Sequence, residues 1–212
     1  MRVSQFFEVQ IKPGRVDTYL ELAASLKPLL DEMGGCLSIE RFKSLSRPNL
    51  LLSYQIWRDE ASLTAWRTNA QHHAVQCMGR AEIFSDYRIR VAQVVHEQRP
   101  GADPWMPTRL TAYNDPVRRP PTFAVISESR HANPPACTAA PSDAFESVYR
   151  PGQFAHLFDV PSVDLGVALG TELLADPTTE YFRVFEIYRD YGMFDRAEAP
   201  QYYPPIERCP HA

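Results

Sequence analysis

Two stretches of this chain repeat each other. Phe42-Lys-Ser-Leu-Ser-Arg47-Pro48 is matched by Phe145-Glu-Ser-Val-Tyr-Arg150-Pro151, and Asp86-Tyr87-Arg88 by Ile187-Tyr188-Arg189. Each copy of the longer motif leads into an apolar strand and then a small or acidic helix start, at Asp59 and Asp164. Whatever the chain folds into must therefore accommodate one unit twice.

The first copy reads as a complete unit. Val3 to Ile11 is rich in β-formers and stops at Lys12-Pro13-Gly14, a turn signal. Val16, Leu20, Ala23, Leu26, Leu30 and Met33 then recur at helical spacing, with a kink expected near Pro28 and a stop at Gly34-Gly35. Leu37 to Leu45 and Leu50 to Trp57 read as strands around a Ser46-Arg47-Pro48-Asn49 loop. Asp59 caps a second helix reaching about Gly79, and Phe84 to Val95 alternates as a fourth strand. The order is β-α-β-β-α-β, a ferredoxin-like unit. The second copy has a first strand at Phe123 to Ile126, but His131 to Asp143 is a Pro/Ala/Ser loop where its first helix belongs. That copy is expected to carry a reduced first helix.

The expected boundaries are 1–98 for the first unit, 99–121 for a proline-rich linker, and 122–212 for the degenerate second repeat with its Pro/Tyr-rich tail. A single such unit covers one sheet face with helices and leaves the other bare, and a bare apolar face must be buried. The expected class is α+β: two tandem units packed sheet to sheet as one barrel. The chain would then be a monomer with an internal pseudo-dimer, or a homodimer.

Composition narrows the partners. In 212 residues, 44% hydrophobic and 23% charged, the chain can build a core, which excludes general disorder. The formal charge is -4 and the basic residues are scattered, so no nucleic acid is expected. No apolar run approaches the ~20 residues of a spanning helix, so no membrane is expected either. The first ten residues already mix Gln and Glu, unlike a signal peptide, which points to the cytoplasm. Cys36, Cys77, Cys137 and Cys209 form no C-x-x-C pair and are expected as small buried hydrophobes rather than zinc ligands or disulfides. No H-E-x-x-H, P-loop, G-x-G-x-x-G or G-x-S-x-G occurs, so no metal is expected.

The segment Trp57-Arg-Asp-Glu-Ala-Ser-Leu-Thr-Ala-Trp66-Arg-Thr-Asn-Ala-Gln-His72-His73-Ala-Val-Gln76, taken with Lys12-Pro13-Gly14 and Leu52-Ser53-Tyr54, resembles the antibiotic biosynthesis monooxygenase family. The resemblance covers roughly residues 2–96, and reaches 122–196 through the repeat. It implies a dimeric α+β barrel and chemistry that varies among members. In the haem-degrading branch a first-strand Asn, a Trp and a His ten residues later act together. Here those positions hold Phe7, Trp66 and Gln76, so the chain departs at two of three. The cofactor-free, quinone-forming branch implies an oxidoreductase that desolvates a phenolic substrate and takes its proton. Its nearest matches are Trp66, Tyr54, Tyr87 and Arg88.

At 100° per residue, Trp66, Ala70, His73 and Cys77 form one inward stripe, with His72 on the flank. The expected catalytic set is His73 as base, Trp66 as wall, and Tyr54 or Arg88 as oxyanion partner, since a histidine titrates near working pH. His72, Tyr87, His156 and Tyr188 complete the expected ligand-binding set. The function implied is a cofactor-independent monooxygenase acting on a small phenolic or enolic compound, its ligand aromatic or apolar. The alternatives are a non-catalytic binding or structural barrel, and a haem-binding or haem-degrading protein with haem as cofactor. Structural roles compete at each residue: Trp66 and His73 as core, and Arg88 and Arg90 paired with an acid such as Glu40. The aromatic run Tyr181 to Arg196 reads either as intersheet core or, with Tyr149, His156 and Asp159, as a second pocket.

Overall fold

In the computed structural model, which describes residues 2–107, 120–133, 139 and 141–199, eight strands close into one barrel. The first repeat supplies β1 (Val3–Ile11), α1 (Val16–Ser25), α2 (Lys27–Met33), β2 (Cys36–Ser44), β3 (Leu50–Trp57), α3 (Glu60–Thr68), α4 (Ala70–Met78), a π-helical turn (Gly79–Ile83) and β4 (Phe84–Gln98). The second supplies β5 (Thr122–Ser129), β6 (Asp143–Ser147), β7 (Phe154–Val160), α5 (Val163–Leu174) and β8 (Thr179–Gly192). Around the barrel the order is β1-β3-β2-β6-β7-β5-β8-β4, so both repeats have the same internal order and join at two seams, β2·β6 and β4·β8.

The duplicated motifs sit at those seams, related by a local two-fold. Phe42 pairs with Ser147 and Ser44 with Phe145, which are equivalent positions exchanged across the seam. Likewise Arg88 pairs with Gly192, and its counterpart Arg189 pairs with Val91. Such reciprocal pairing is the signature of an isologous interface. Phe42 and Phe145 are fully buried and meet in the barrel interior with Phe6, Leu52, Tyr54, Val94, Ile126, Leu157 and Phe185.

Local chemistry places the helices. Pro28 offers no N–H, and the first helical segment breaks at Leu26 into α1 and α2. Gly34 and Gly35, at φ +65° and +84°, turn the chain into β2, a conformation that only glycine adopts freely. The Asp59 carboxylate accepts from the Ser62 N–H at 2.8 Å and starts α3. In the second repeat the cap is Ser162, which accepts from the Leu165 N–H, and Asp164 lies in the first turn. Among the described residues no helix lies between β5 and β6.

Expectations and structure part company in several places. Within 99–121, Trp105 exchanges backbone hydrogen bonds with Glu97 and packs on the barrel core, so this part is not free linker. Arg90 donates to Glu8 at 2.7 Å and Asp159 at 2.8 Å, and Arg88 to Asp190. Glu40 is instead engaged by Ser147 and Arg150. Cys36 is half-buried, and burial pushes its thiol up to about 11, but Cys77 is exposed beside His73. Cys137, Cys209 and the Pro/Tyr-rich tail lie outside the described residues. No helix among the described residues is long and apolar enough to cross a membrane.

Candidate functional site

Strand alternation gives the N-terminal sheet two unlike faces. One lines the barrel interior. The other looks at the helices, and there Gln5, Phe7, Ile39, Arg41, Ser53, Gln55, Tyr87 and Ile89 form a floor that is partly polar. Register makes it continuous: Gln5 pairs with Gln55, Phe7 with Ser53 and Ile89, and Ser53 with Arg41. The helices roof this floor with Tyr19, Leu22, Leu26, Trp66, His72 and Val75. Between floor and roof lies a cavity with about 160 Å³ open to water centres. One water needs only ~10–15 Å³ by that measure, so the space suits a small organic molecule.

Trp66 and His72 make one wall. Their rings stack at 4.0 Å and 19°, and Trp66 tilts against Trp57 at 6.5 Å. The His72 Nδ1 lies 2.9 Å from the Trp66 carbonyl oxygen. A carbonyl can only accept, so the proton belongs on Nδ1 and Nε2 keeps a lone pair; the Gln76 amide nitrogen stands 3.1 Å from Nδ1 and 3.3 Å from Nε2. Burial pushes the His72 pKa down to about 4, with the Trp66 carbonyl opposing and His73 adding to the drop. The imidazole is therefore neutral at pH 7.

His73 is not in the cavity lining. The wheel that placed it beside Trp66 assumed one unbroken helix, and the helix breaks at Asn69, whose backbone is extended at φ −62°, ψ 131°. The Asn69 side chain accepts from the N–H groups of Gln71 and His72 and starts a new helix. The break resets the angular phase and brings His72, not His73, onto Trp66. His73 lies along the outer side of α4 with Cys77, 3.7 Å from its sulfur.

The other expected residues scatter. Tyr87 lines the cavity and its hydroxyl accepts from Arg196 at 3.0 Å. Tyr54 faces the barrel interior, because its neighbours Ser53 and Gln55 take the helix side; it accepts from Arg183 at 2.9 Å, and burial pushes its pKa up to about 12. Arg88 is half-exposed in a bidentate pair with Asp190. Tyr188 packs with Trp57, Leu63 and Tyr191. His156 is buried in the second repeat with Nε2 against the Ala132 carbonyl. Tyr149, His156 and Asp159 go to three different partners, Arg41, Ala132 and Arg90, so the expected second pocket does not form among them.

The cavity residues that sequence reasoning missed are Gln5, Ser53, Gln55, Arg41 and Tyr19. A signal existed: Leu50–Trp57 is a wholly buried strand that nonetheless carries Ser53 and Gln55 at alternate positions. Buried polar groups on one strand face need partners or a ligand.

The family description "antibiotic biosynthesis monooxygenase" matches residues 2–77. Over 216 residues the chain is 33% identical to the jasmonate monooxygenase ABM of Pyricularia oryzae strain 70-15, covering 94% of this chain and 97% of that protein. Solved structures are more remote. A protein of Fusobacterium nucleatum matches 89% of this chain and 93% of its own at 9% identity and TM-score 0.43. A conserved protein of Methanosarcina mazei Go1 matches 43% and 90% at 21% identity and TM-score 0.40. The near-complete match to the Pyricularia oryzae protein, with the family's pattern over 2–77, means that the chain belongs to the antibiotic biosynthesis monooxygenase family.

Proposed function

We propose that this protein is a cofactor-independent monooxygenase that oxidises a small enolic or phenolic compound in the cavity beneath the N-terminal helices. The observation that carries the reading is a half-buried His72 whose ring stacks on Trp66 at 4.0 Å at the wall of that cavity. The name of the Pyricularia oryzae relative, jasmonate monooxygenase, adds a chemical hint: jasmonate is a ketone with enolisable carbons.

In this reading the substrate does the redox work. His72 Nε2 takes a proton from carbon or oxygen, leaving an enolate or phenolate. An imidazolium beside that anion is stabilised by it, which offsets the burial that holds His72 neutral. The anion gives one electron to oxygen, and recombination forms a peroxide. Loss of water then turns R2CH2 + O2 into R2C=O + H2O, with atoms and electrons balanced. In this reading Gln5 hydrogen-bonds the substrate oxygen, aided by the remaining N–H of Gln55, whose amide otherwise donates to Ser53 and accepts from Trp57, and the apolar roof limits competing water.

The arrangement of the haem-degrading branch is not reproduced: position 76, where that branch carries its His, is Gln, and His73 lies outside the cavity lining. A non-catalytic binding barrel draws support from Phe7, which stands where the family's oxygenases and haem-degrading members carry an Asn.

The test is oxygen uptake by metal-stripped protein with hydroxyanthrones, naphthols and enolisable cyclopentanones. Turnover should fall ~100-fold or more in His72→Ala and persist in His73→Ala. Trp66 fluorescence quenching without uptake across the panel would favour the binding barrel instead.

A further inference from the structure

The chain as a whole is acidic, with 26 Asp and Glu against 22 Lys and Arg. The cavity reverses that balance. Its lining carries Lys27, Arg41, Arg67, Arg80 and Arg196 and, among the described residues, no Asp or Glu. Lys27 turns to Asp31 at 2.5 Å, and Arg196 to the Tyr87 hydroxyl and the Gly192 carbonyl. Arg41, like Arg196, has neutral described partners: the Tyr149 hydroxyl at 3.3 Å and the Tyr19 hydroxyl. Its Nε is buried with no hydrogen-bond partner among the described residues.

A half-buried guanidinium whose Nε lacks a partner is less favourable than one completed by an anion. Arg41 is held there on purpose by its neighbours. It sits on β2 at the thin seam, where its carbonyl accepts from the Val148 N–H at 2.8 Å. The next residue, Tyr149, reaches it from the second repeat. The planar fork of an arginine beside two phenols matches a carboxylate. The remaining roof, Leu22, Ala23, Leu26, Leu30 and Val75, is apolar.

We infer that the cavity's ligand is an apolar molecule ending in a carboxylate, which docks on Arg41 beside Tyr19. This inference rests on the cavity being the ligand site, as proposed above, and names the chemical class it selects. The second repeat contributes only indirectly, through the exposed Tyr149 hydroxyl that steadies the Arg41 guanidinium from outside the cavity lining.

The test is calorimetric titration of the full chain with ω-phenylalkanoates of increasing length and their matched amides. In the unaltered protein the best acid should bind ~10-fold or more tighter than its amide, as a charge-assisted hydrogen bond predicts. Arg41→Gln should erase that preference, and Arg41→Lys should restore part of it. Equal binding of acid and amide overturns the carboxylate inference and leaves the cavity standing. A preference that survives Arg41→Gln moves the anion site elsewhere and equally overturns the assignment. Saturation by neither series removes the cavity reading and this inference together. Should Arg41→Gln fail to fold, the acid-to-amide ratio in the unaltered chain and in Tyr19→Phe still decides, since loss of the Tyr19 hydroxyl should reduce it.

Discussion

The two repeats dress the same sheet in opposite ways. In the second, α5 lies directly on β5, β7 and β8, over an apolar cluster of Val125, Phe158, Leu169, Leu173, Phe182 and Val184. Gly166 and Gly170 permit that approach. A Cβ at Gly170 would stand 2.1 Å from Phe182, and one at Gly166 2.8 Å from Val184. In the first repeat the roof is made of broken helices that stand off a floor holding Gln5, Ser53, Gln55 and Arg41. The same unit thus serves once as a closed support and once as a container. What separates them is the roof: two glycines let one unbroken helix close on its sheet, and broken helices stand off the other.

The sharpest way to break this comparison is to refuse α5 its close approach. Gly170→Val should cost about 3 kcal/mol by overpacking, read as a lower urea midpoint. Gly170→Ala is the more telling variant. In an exposed helix it would gain about 1 kcal/mol, and here it should destabilise. A gain would mean that α5 stands further from the sheet than described.

The next effect is on pH. Burial holds His72 down at about 4, and it lowers His96 and His156 as well. Below about pH 6.5 the unfolded chain takes up protons at these sites while the folded chain does not. The unfolded state then binds more protons, so stability falls as pH drops from about 6.5 towards 4. Thermal melts of His72→Gln should show a flatter decline over that window. His156→Gln should flatten it through the closed repeat alone, with ligand binding intact.

The smallest stability effect should come from filling the container. Val75→Phe adds its ring to space that is already open, so stability should change by under about 1 kcal/mol, against the large cost of bulk at Gly170. Carboxylate binding should nevertheless be lost. A cost near that of Gly170→Val would show the cavity to be better packed than described.

Much of the architecture was legible because it rests on strong local signals. The Phe42 and Phe145 motifs announced the duplication, and Lys12-Pro13-Gly14, Pro28 and Gly34-Gly35 marked turns and breaks that only those residue types produce. The site was less legible. Asn69 is a helix-capping residue in the middle of an apparently continuous helix, and its break shifts the choice from His73 to His72. Periodicity carried across a break assigns every later side chain to the wrong direction. Tyr54 and Arg88 failed for a related reason. Sequence alternation separates two strand faces, but which face becomes the barrel interior depends on the partner repeat. Arg41 could not be singled out at all without Tyr149, more than a hundred positions away.

The seams that join the repeats also change how the barrel responds to dilution. A barrel assembled from two separate chains forms in a second-order step, and its melting temperature drifts with protein concentration. Here β2·β6 and β4·β8 join halves of one chain, and β2·β6 manages with three paired positions because it never has to find its partner. Tethering holds the halves at an effective concentration of order millimolar. Closure of this barrel is first-order, and each half is free to specialise without its change being copied into the other.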